Sequence, residues 1–471
     1  MRKLLISLSL LLSSSACFAD ELANVVCFVR FSDQTEETWQ NDRAFYERLF
    51  NDESENANSV RAYYKTMSYG SLDWKSVFAD GDFTSSRPRD DFRTQSPSDP
   101  FATMFLLTRL RGIVREAADF LNSKLPEDAV VDCNNDGDVD NLTLVIMGES
   151  EKSSKNGVLW PMNLDMANSD VTVKGARVKN FFIMFDSANG FKLGRPIKPN
   201  TGVVCHEMAH TLNVYDLYTS DASTAVGKWD IMSDNQVKAQ GMTAYTRHTY
   251  GHDFGDWIPE VKELTANGTY TLNALNSSSP EDVAFKIVPD ASKEEYFMVE
   301  YRKAEGWDNE LPSSGLLAYR VDPTAKGNLG SKRELYILRG MDGLDKATLD
   351  GSAGRTSLGL AGDKIKPLYF DGTPAPFSIT DVAVDGNKLN FNLNLASSSA
   401  ISDIEMDGFS IVYEGSVVRI STEASIDVYN LAGMKVMSGY GNELDLSSLN
   451  SGLYIVTATT PAVSRTLKIA R

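Results

Sequence analysis

Apolar residues fall along this chain in three textures. Over the first half, continuous apolar runs of strand length (24–31, reading NVVCFVRF, then 142–147 and 178–185) alternate with stretches of helical period. Residues 59–67 put Val60, Tyr63, Tyr64 and Met67 on one helical face. Asp99 before Pro100 is an N-cap followed by a proline suited to the first turn, and it opens a helix reaching about Lys124. Its apolar stripe is Leu106, Leu107, Leu110, Ile113, Val114, Ala117, Phe120 and Leu121. From about residue 257 the runs shorten and alternate between Gly and Asn turns, and 268–272, 296–301, 316–321 and 388–395 read as strands. A small polar stretch, ASSSA at 396–400, precedes a turn-rich tail of short strand-like runs. The pattern predicts an α+β protein: a mixed-sheet domain over 20–258, a β-rich domain over 259–396, a linker at 397–400, and a small immunoglobulin-like β-sandwich over 401–471.

The N-terminus changes the picture. Met1-Arg2-Lys3, an apolar run over 4–12 and a small-residue end at Ala19 read as a signal peptide over 1–19. A lipid-anchored alternative would use Cys17, with Ser14 standing where such sites usually carry an aliphatic residue. The apolar run is too short to span a bilayer, and no later run is long enough for a transmembrane segment. Beyond the signal peptide Cys27, Cys133 and Cys205 remain, an odd and sparse set that is no disulfide framework. Cys27 and Cys205 fit buried small hydrophobes, and they also fit a single bridge in an oxidising compartment. A net charge of −18 argues against nucleic acid as a partner and suits a secreted protein.

Candidate chemistry concentrates in residues 201–218, TGVVCHEMAHTLNVYDLY. His206 and His210 are four residues apart, so on a helix both imidazoles leave one face about a turn apart, within reach of one tetrahedral zinc ion. Glu207 can face the open fourth position and act as general base, the H-E-x-x-H arrangement of a metallopeptidase. Only four histidines occur in the chain, so two incidental ones at this spacing are a poor account. A helix that must turn back to deliver a third ligand needs a left-handed residue at its exit. Asn213 stands there, which makes Asp216 the expected oxygen ligand. Met232, in the sequence WDIMS, fits a turn beneath the ligands and equally fits ordinary core packing. Tyr245, Tyr250, His248 and His252 lie further on and are expected to be structural or surface residues more than oxyanion binders. A second motif sets Asp132, Asn134, Asp136, Asp138 and Asp140 at alternate positions around Gly137, a partial calcium loop with Thr143 at its twelfth place. Crowded carboxylates repel without a cation, which favours calcium over a solvated acidic turn.

These residues resemble the immune-inhibitor-A family of secreted zinc metallopeptidases, whose pattern is H-E-x-x-H-x-x-G-x-x-D followed by W-D-x-M-S. Asn213 replaces the glycine. Runs at 59–72 and 295–322 and the acidic loop are similar to the same family, whereas Trp160-Pro161-Met162 lacks a histidine the family tends to have nearby. The resemblance implies a zincin- or metzincin-like catalytic domain, zinc on His206, His210 and Asp216, Glu207 as general base and Met232 as the methionine of the turn. The tail, with VYNLAG, SGLYIV and a lysine-bearing last strand, resembles a type IX secretion sorting domain. That implies recognition by outer-membrane secretion machinery and release to the cell surface or medium.

The leading expectation is therefore a secreted zinc endopeptidase acting on protein or peptide substrates. Two other classes compete with it. A non-catalytic surface adhesin with structural zinc should offer four closed ligands, and this stretch offers three. A metal-dependent hydrolase of non-peptide substrates sits poorly with a methionine turn.

Overall fold

Strand β1 (Asp20–Arg30) is buried on both faces from Leu22 to Val29. That pattern belongs to a central strand of a parallel sheet covered on both sides. Alternate side chains feed two different clusters: Leu22, Val26 and Phe28 one, Val25, Cys27 and Val29 the other. The computed structural model describes residues 20–93, 99–150, 158–166, 170–190, 195–219, 225–395, 411–430, 433–460 and 464–471. The expected signal peptide over 1–19, with Cys17, and the linker at 397–400 lie outside the described residues.

The first sheet runs β2 (Leu72–Phe78), β1, β4 (Asn141–Glu149), β8 (Asn180–Gly190), β5 (Met162–Asp165). Its first four strands are parallel, and β5 closes the edge antiparallel to β8. Short β3 (Phe83–Thr84) and β9 (Arg195–Ile197) pair with β1 and β8, and β6 (Thr172–Val173) and β7 (Ala176–Arg177) form a separate hairpin. One face is covered by α3 (Pro100–Lys124), capped by Asp99 as the sequence predicts. Its buried residues are Leu106, Leu110, Ile113, Val114, Ala117 and Leu121, while Leu107 and Phe120 are partly buried against the same cluster. The other face carries α1 (Arg43–Asn51), α2 (Val60–Met67) and α4 (Thr201–Ala209). In α2 the four predicted positions, Val60, Tyr63, Tyr64 and Met67, are the buried ones.

The two cysteines that sequence left open as a bridge are both free and buried. Cys27 packs in the cluster under α3 and Cys205 in the cluster on the opposite face, so the sheet separates them.

Beyond residue 258 the strands build β10 (Lys262–Glu263), β12 (Ala284–Ile287), β13 (Tyr296–Arg302), β14 (Gly315–Val321) and β15 (Leu335–Ile337) into a second sheet in that order. A third, antiparallel sheet is β11 (Gly268–Asn273), β17 (Lys388–Leu395) and β16 (Phe377–Asp385). The second sheet's two faces go to different cores. Phe297, Val299, Leu316 and Ala318 pack on the third sheet, while Met298, Leu317, Tyr319, Leu335 and Ile337 join the same cluster as α4 and Met232. The expected division at residue 258 thus runs through a shared hydrophobic cluster.

The tail is an all-antiparallel ladder, β18 (Ile411–Glu414), β19 (Val417–Asn430), β21 (Leu453–Thr459), β22 (Ser464–Ala470), with β20 (Lys435–Asp445) on β19. Val418, Ile426, Val428, Val456 and Ala458 form a core of its own. With five α-helices among the described residues and most remaining elements strands, the fold is mixed α+β and β-rich.

A shared core makes a test. A chain ending at residue 258 leaves the apolar face under α4 and the Met232 turn without its cover. It should express insoluble or unfold without a cooperative transition, whereas a chain ending at residue 395 should unfold cooperatively by circular dichroism.

Candidate metal centre

Helix α4 begins where Asn200 Oδ1 accepts the Val203 N–H at 3.1 Å. Gly202 lets the helix pass tightly by a neighbouring segment: a Cβ there would lie 1.5 Å from the Gln236 carbonyl oxygen. Val204, Cys205 and Met208 anchor the helix in the shared core, and the Tyr64 hydroxyl donates to the Cys205 carbonyl at 2.6 Å. After Ala209 a single 3-10 turn, His210–Leu212, tightens the end. Asn213 then takes φ 63° and ψ 18°, the left-handed exit expected of it. Its N–H donates to the His210 carbonyl and that of Val214 to the Ala209 carbonyl, so the chain reverses towards Asp216.

The reversal brings three predicted residues together. Asp216 Oδ1 lies 3.2 Å from His206 Nε2 and 3.4 Å from His210 Nε2. Two ligands about 2.0–2.1 Å from one tetrahedral centre stand about 3.3–3.4 Å apart, so this spacing suits zinc. Among the described residues it is the one group of three or more His, Cys, Asp or Glu ligand atoms within 4.8 Å of one another. Both histidines have their other nitrogen committed. His206 Nδ1 is 2.9 Å from the Ile231 carbonyl and His210 Nδ1 2.7 Å from the Val214 carbonyl. A carbonyl only accepts, so each Nδ1 carries the proton and each neutral ring turns an Nε2 lone pair to the centre. Asp216 Oδ1 is buried there without a hydrogen-bond partner. A cation satisfies all three.

The carboxylates favour positive charge at the centre. Burial works to raise the Asp216 carboxyl but is outweighed by the two histidines, which hold it well below the ordinary carboxylate range. Burial pulls both histidines down, and the facing Asp216 and Glu207 overcome it and raise them. Glu207 is partly buried; desolvation raises its carboxyl, opposed by His206 and His210. A carboxyl raised from its usual value is better matched to taking and returning a proton near neutral pH.

Met232 is fully buried in the cluster that holds α4, and it lies in the turn whose Ile231 carbonyl orients His206. That turn is held by polar groups sequence reasoning missed. Asp230 accepts from the N–H groups of Met232 and Thr243 and the hydroxyls of Thr243 and Thr246. Arg302, from β13, donates to the Trp229 carbonyl at 2.7 Å and pairs with Glu300 and Asp308, all three buried. Gly327 and Asn328 support Asp216. The Asn328 N–H donates to the Asp216 carbonyl at 2.8 Å, and a Cβ at Gly327 would come 2.5 Å from that oxygen. Backbone carbonyls carry no side-chain signature, and these partners lie far along the chain, so no local signal could have found them.

The remaining candidates fall elsewhere. Tyr245 and Tyr250 both donate to Glu334, His248 Nδ1 meets the Ile258 carbonyl, and His252 is exposed beside Asp256. None of them joins the metal group. Met162 starts edge strand β5, and its neighbour Asn163 donates to the Glu207 carbonyl and to Thr211 Oγ1, at the rim of the cleft.

The acidic loop does not draw its ligands to a point. Asp132 accepts the N–H groups of Asp136 and Gly137, Asn134 that of Asp136, and Asp136 that of Asp138. Asp138 forms a bidentate pair with Arg177, and Asp140 accepts from Ala23 and Cys133. Backbone amides and Arg177 offset part of the negative charge of this loop.

Two substitutions test the framework. Asn213→Gly should be nearly neutral, whereas Asn213→Val should cost about 1–3 kcal/mol by thermal or denaturant unfolding and weaken zinc binding by drawing Asp216 away. Arg302→Met leaves Glu300 and Asp308 buried without their cation and should cost about 3–5 kcal/mol, measured by urea unfolding.

Residues 406–470 match the family model described as a secretion system C-terminal sorting domain, the stretch that holds β18–β22. No curated protein matches the chain. The matched segment stops well short of the metal centre, so the likeness to immune-inhibitor-A peptidases rests on the motifs quoted above. Among the described residues no helix is long and apolar enough to cross a membrane. The sorting tail marks a protein exported by type IX secretion to the cell surface or beyond, and implies contact with the secretion machinery.

Proposed function

We propose that this chain is a secreted zinc-dependent endopeptidase of the zincin type. The observation that carries the reading is the convergence of His206 Nε2, His210 Nε2 and the unpartnered Asp216 Oδ1, with Glu207 beside them. The mixed sheet with its antiparallel edge strand next to the metal helix is in keeping with that fold. Three donors leave a fourth position open, as catalytic zinc requires and structural zinc does not.

A zinc ion held there would polarise a peptide carbonyl and make a water acidic enough to deprotonate near neutral pH. Glu207 takes the proton from the attacking water and delivers it to the departing amine nitrogen. The Ile231 and Val214 carbonyls keep both imidazoles in the required tautomer and orientation. Strand β5 offers a track for substrate. It ends the sheet, has no strand on its outer side among the described residues, and sets Asn163 at the cleft. An extended peptide can pair with such an edge through its backbone, which orders the scissile bond without demanding particular side chains.

The purified chain should contain about one zinc per molecule and clear casein in a zymogram, with activity lost to a chelator and restored by zinc. Glu207→Ala should keep zinc and fold while kcat falls at least a hundredfold; activity within tenfold of the parent would remove the general-base assignment. Deleting residues 401–471 should leave that activity intact but strand the protein in the periplasm, scored by cell fractionation.

A further inference from the structure

The loop between β14 and β15 is built into the wall of the metal cleft. Gly327 and Asn328 are buried, the Gly327 N–H donates to Glu334, and Asn328 bonds the carbonyls of Leu217 and Leu335. Together with the Asn328 bond to Asp216, these contacts fix the loop backbone directly against the third ligand. On that rigid base two side chains project to the cleft of about 260 Å³ that opens on His210 and Asp216: Leu329, 48% exposed, and Lys326, also exposed. The Lys326 ammonium stands 5.9 Å from the Tyr215 ring centroid, on the same cleft wall. Among the described residues it makes no ion pair, whereas nearby Lys332 is paired with Asp322 at 3.3 Å.

A lone ammonium at the lip of a substrate cleft, in a chain of net charge −18, is a local reversal of the molecule's field. We infer that Lys326 is a specificity-determining residue, selecting substrates that carry a carboxylate side chain close to the scissile bond. This rests on the peptidase reading. The buried loop holds the Lys326 backbone beside Asp216, so its ammonium stays on one side of the cleft relative to the reacting carbonyl. An acidic side chain there gains an attraction, a basic one a repulsion, and the discrimination appears mainly in KM because the charge lies at the rim and not at the reacting atoms.

The test uses the full chain and quenched peptides of one sequence that differ only in Glu, Gln or Lys at each position flanking the cleaved bond. The parent should cleave the best Glu peptide about three- to tenfold better in kcat/KM than its Lys counterpart, with the ratio shrinking as salt rises. Lys326→Glu should reverse the order, and Lys326→Gln should flatten it. Chelator-sensitive cleavage with the same Glu-to-Lys ratio in parent and Lys326→Glu overturns this inference and leaves the peptidase reading standing. Absence of chelator-sensitive cleavage of every peptide overturns both.

Discussion

Two imidazoles and one carboxylate aim lone pairs at a single point, and much of the structure serves to hold them there. The carboxylate oxygen stands 3.2 and 3.4 Å from the two imidazole Nε2 atoms, and lone pairs so placed repel unless a cation lies between them. Such an arrangement persists only if the surroundings determine each group independently. His206 is oriented by the Ile231 carbonyl, His210 by that of Val214, and Asp216 by the left-handed exit at Asn213 together with Asn328. The first two contacts also settle the tautomers, which turns both Nε2 atoms to the carboxylate.

The supports come from both halves of the chain before the tail. Arg302, Glu300 and Asp308 form a buried charged group that reaches from β13 to the Trp229 carbonyl and, through Asp308, to Gly241. Buried charges of this kind contribute little net stability over an apolar alternative, but they penalise any misplacement of the segments they join. Here the joined segments are the turn beneath His206 and the second sheet. The β-rich region is therefore part of the framework of the candidate site: it closes the core behind α4 and supplies the loop that backs Asp216. The sorting tail differs in that its strands enclose a core of their own, as a unit read by export machinery rather than by substrate would.

Local physics made part of this legible from sequence alone. The i, i+4 histidines, the asparagine at a left-handed exit, the Asp99 cap and the α2 stripe all depend on residues within a turn or two of each other. The tail's likeness to a sorting domain was equally readable, because short strands and turns carry it. Tertiary structure alone decided the rest. Cys27 and Cys205 ended on opposite faces of one sheet, a fact set by the alternation of β1 and the side of the sheet on which α4 packs. Asp138 found Arg177, 39 residues further along the chain, a partner that a spacing pattern does not reveal. Ile231, Arg302 and Lys326 reach the site across separations of 25 residues or more from His206, and contacts that long are written in packing, not in any local preference of the chain.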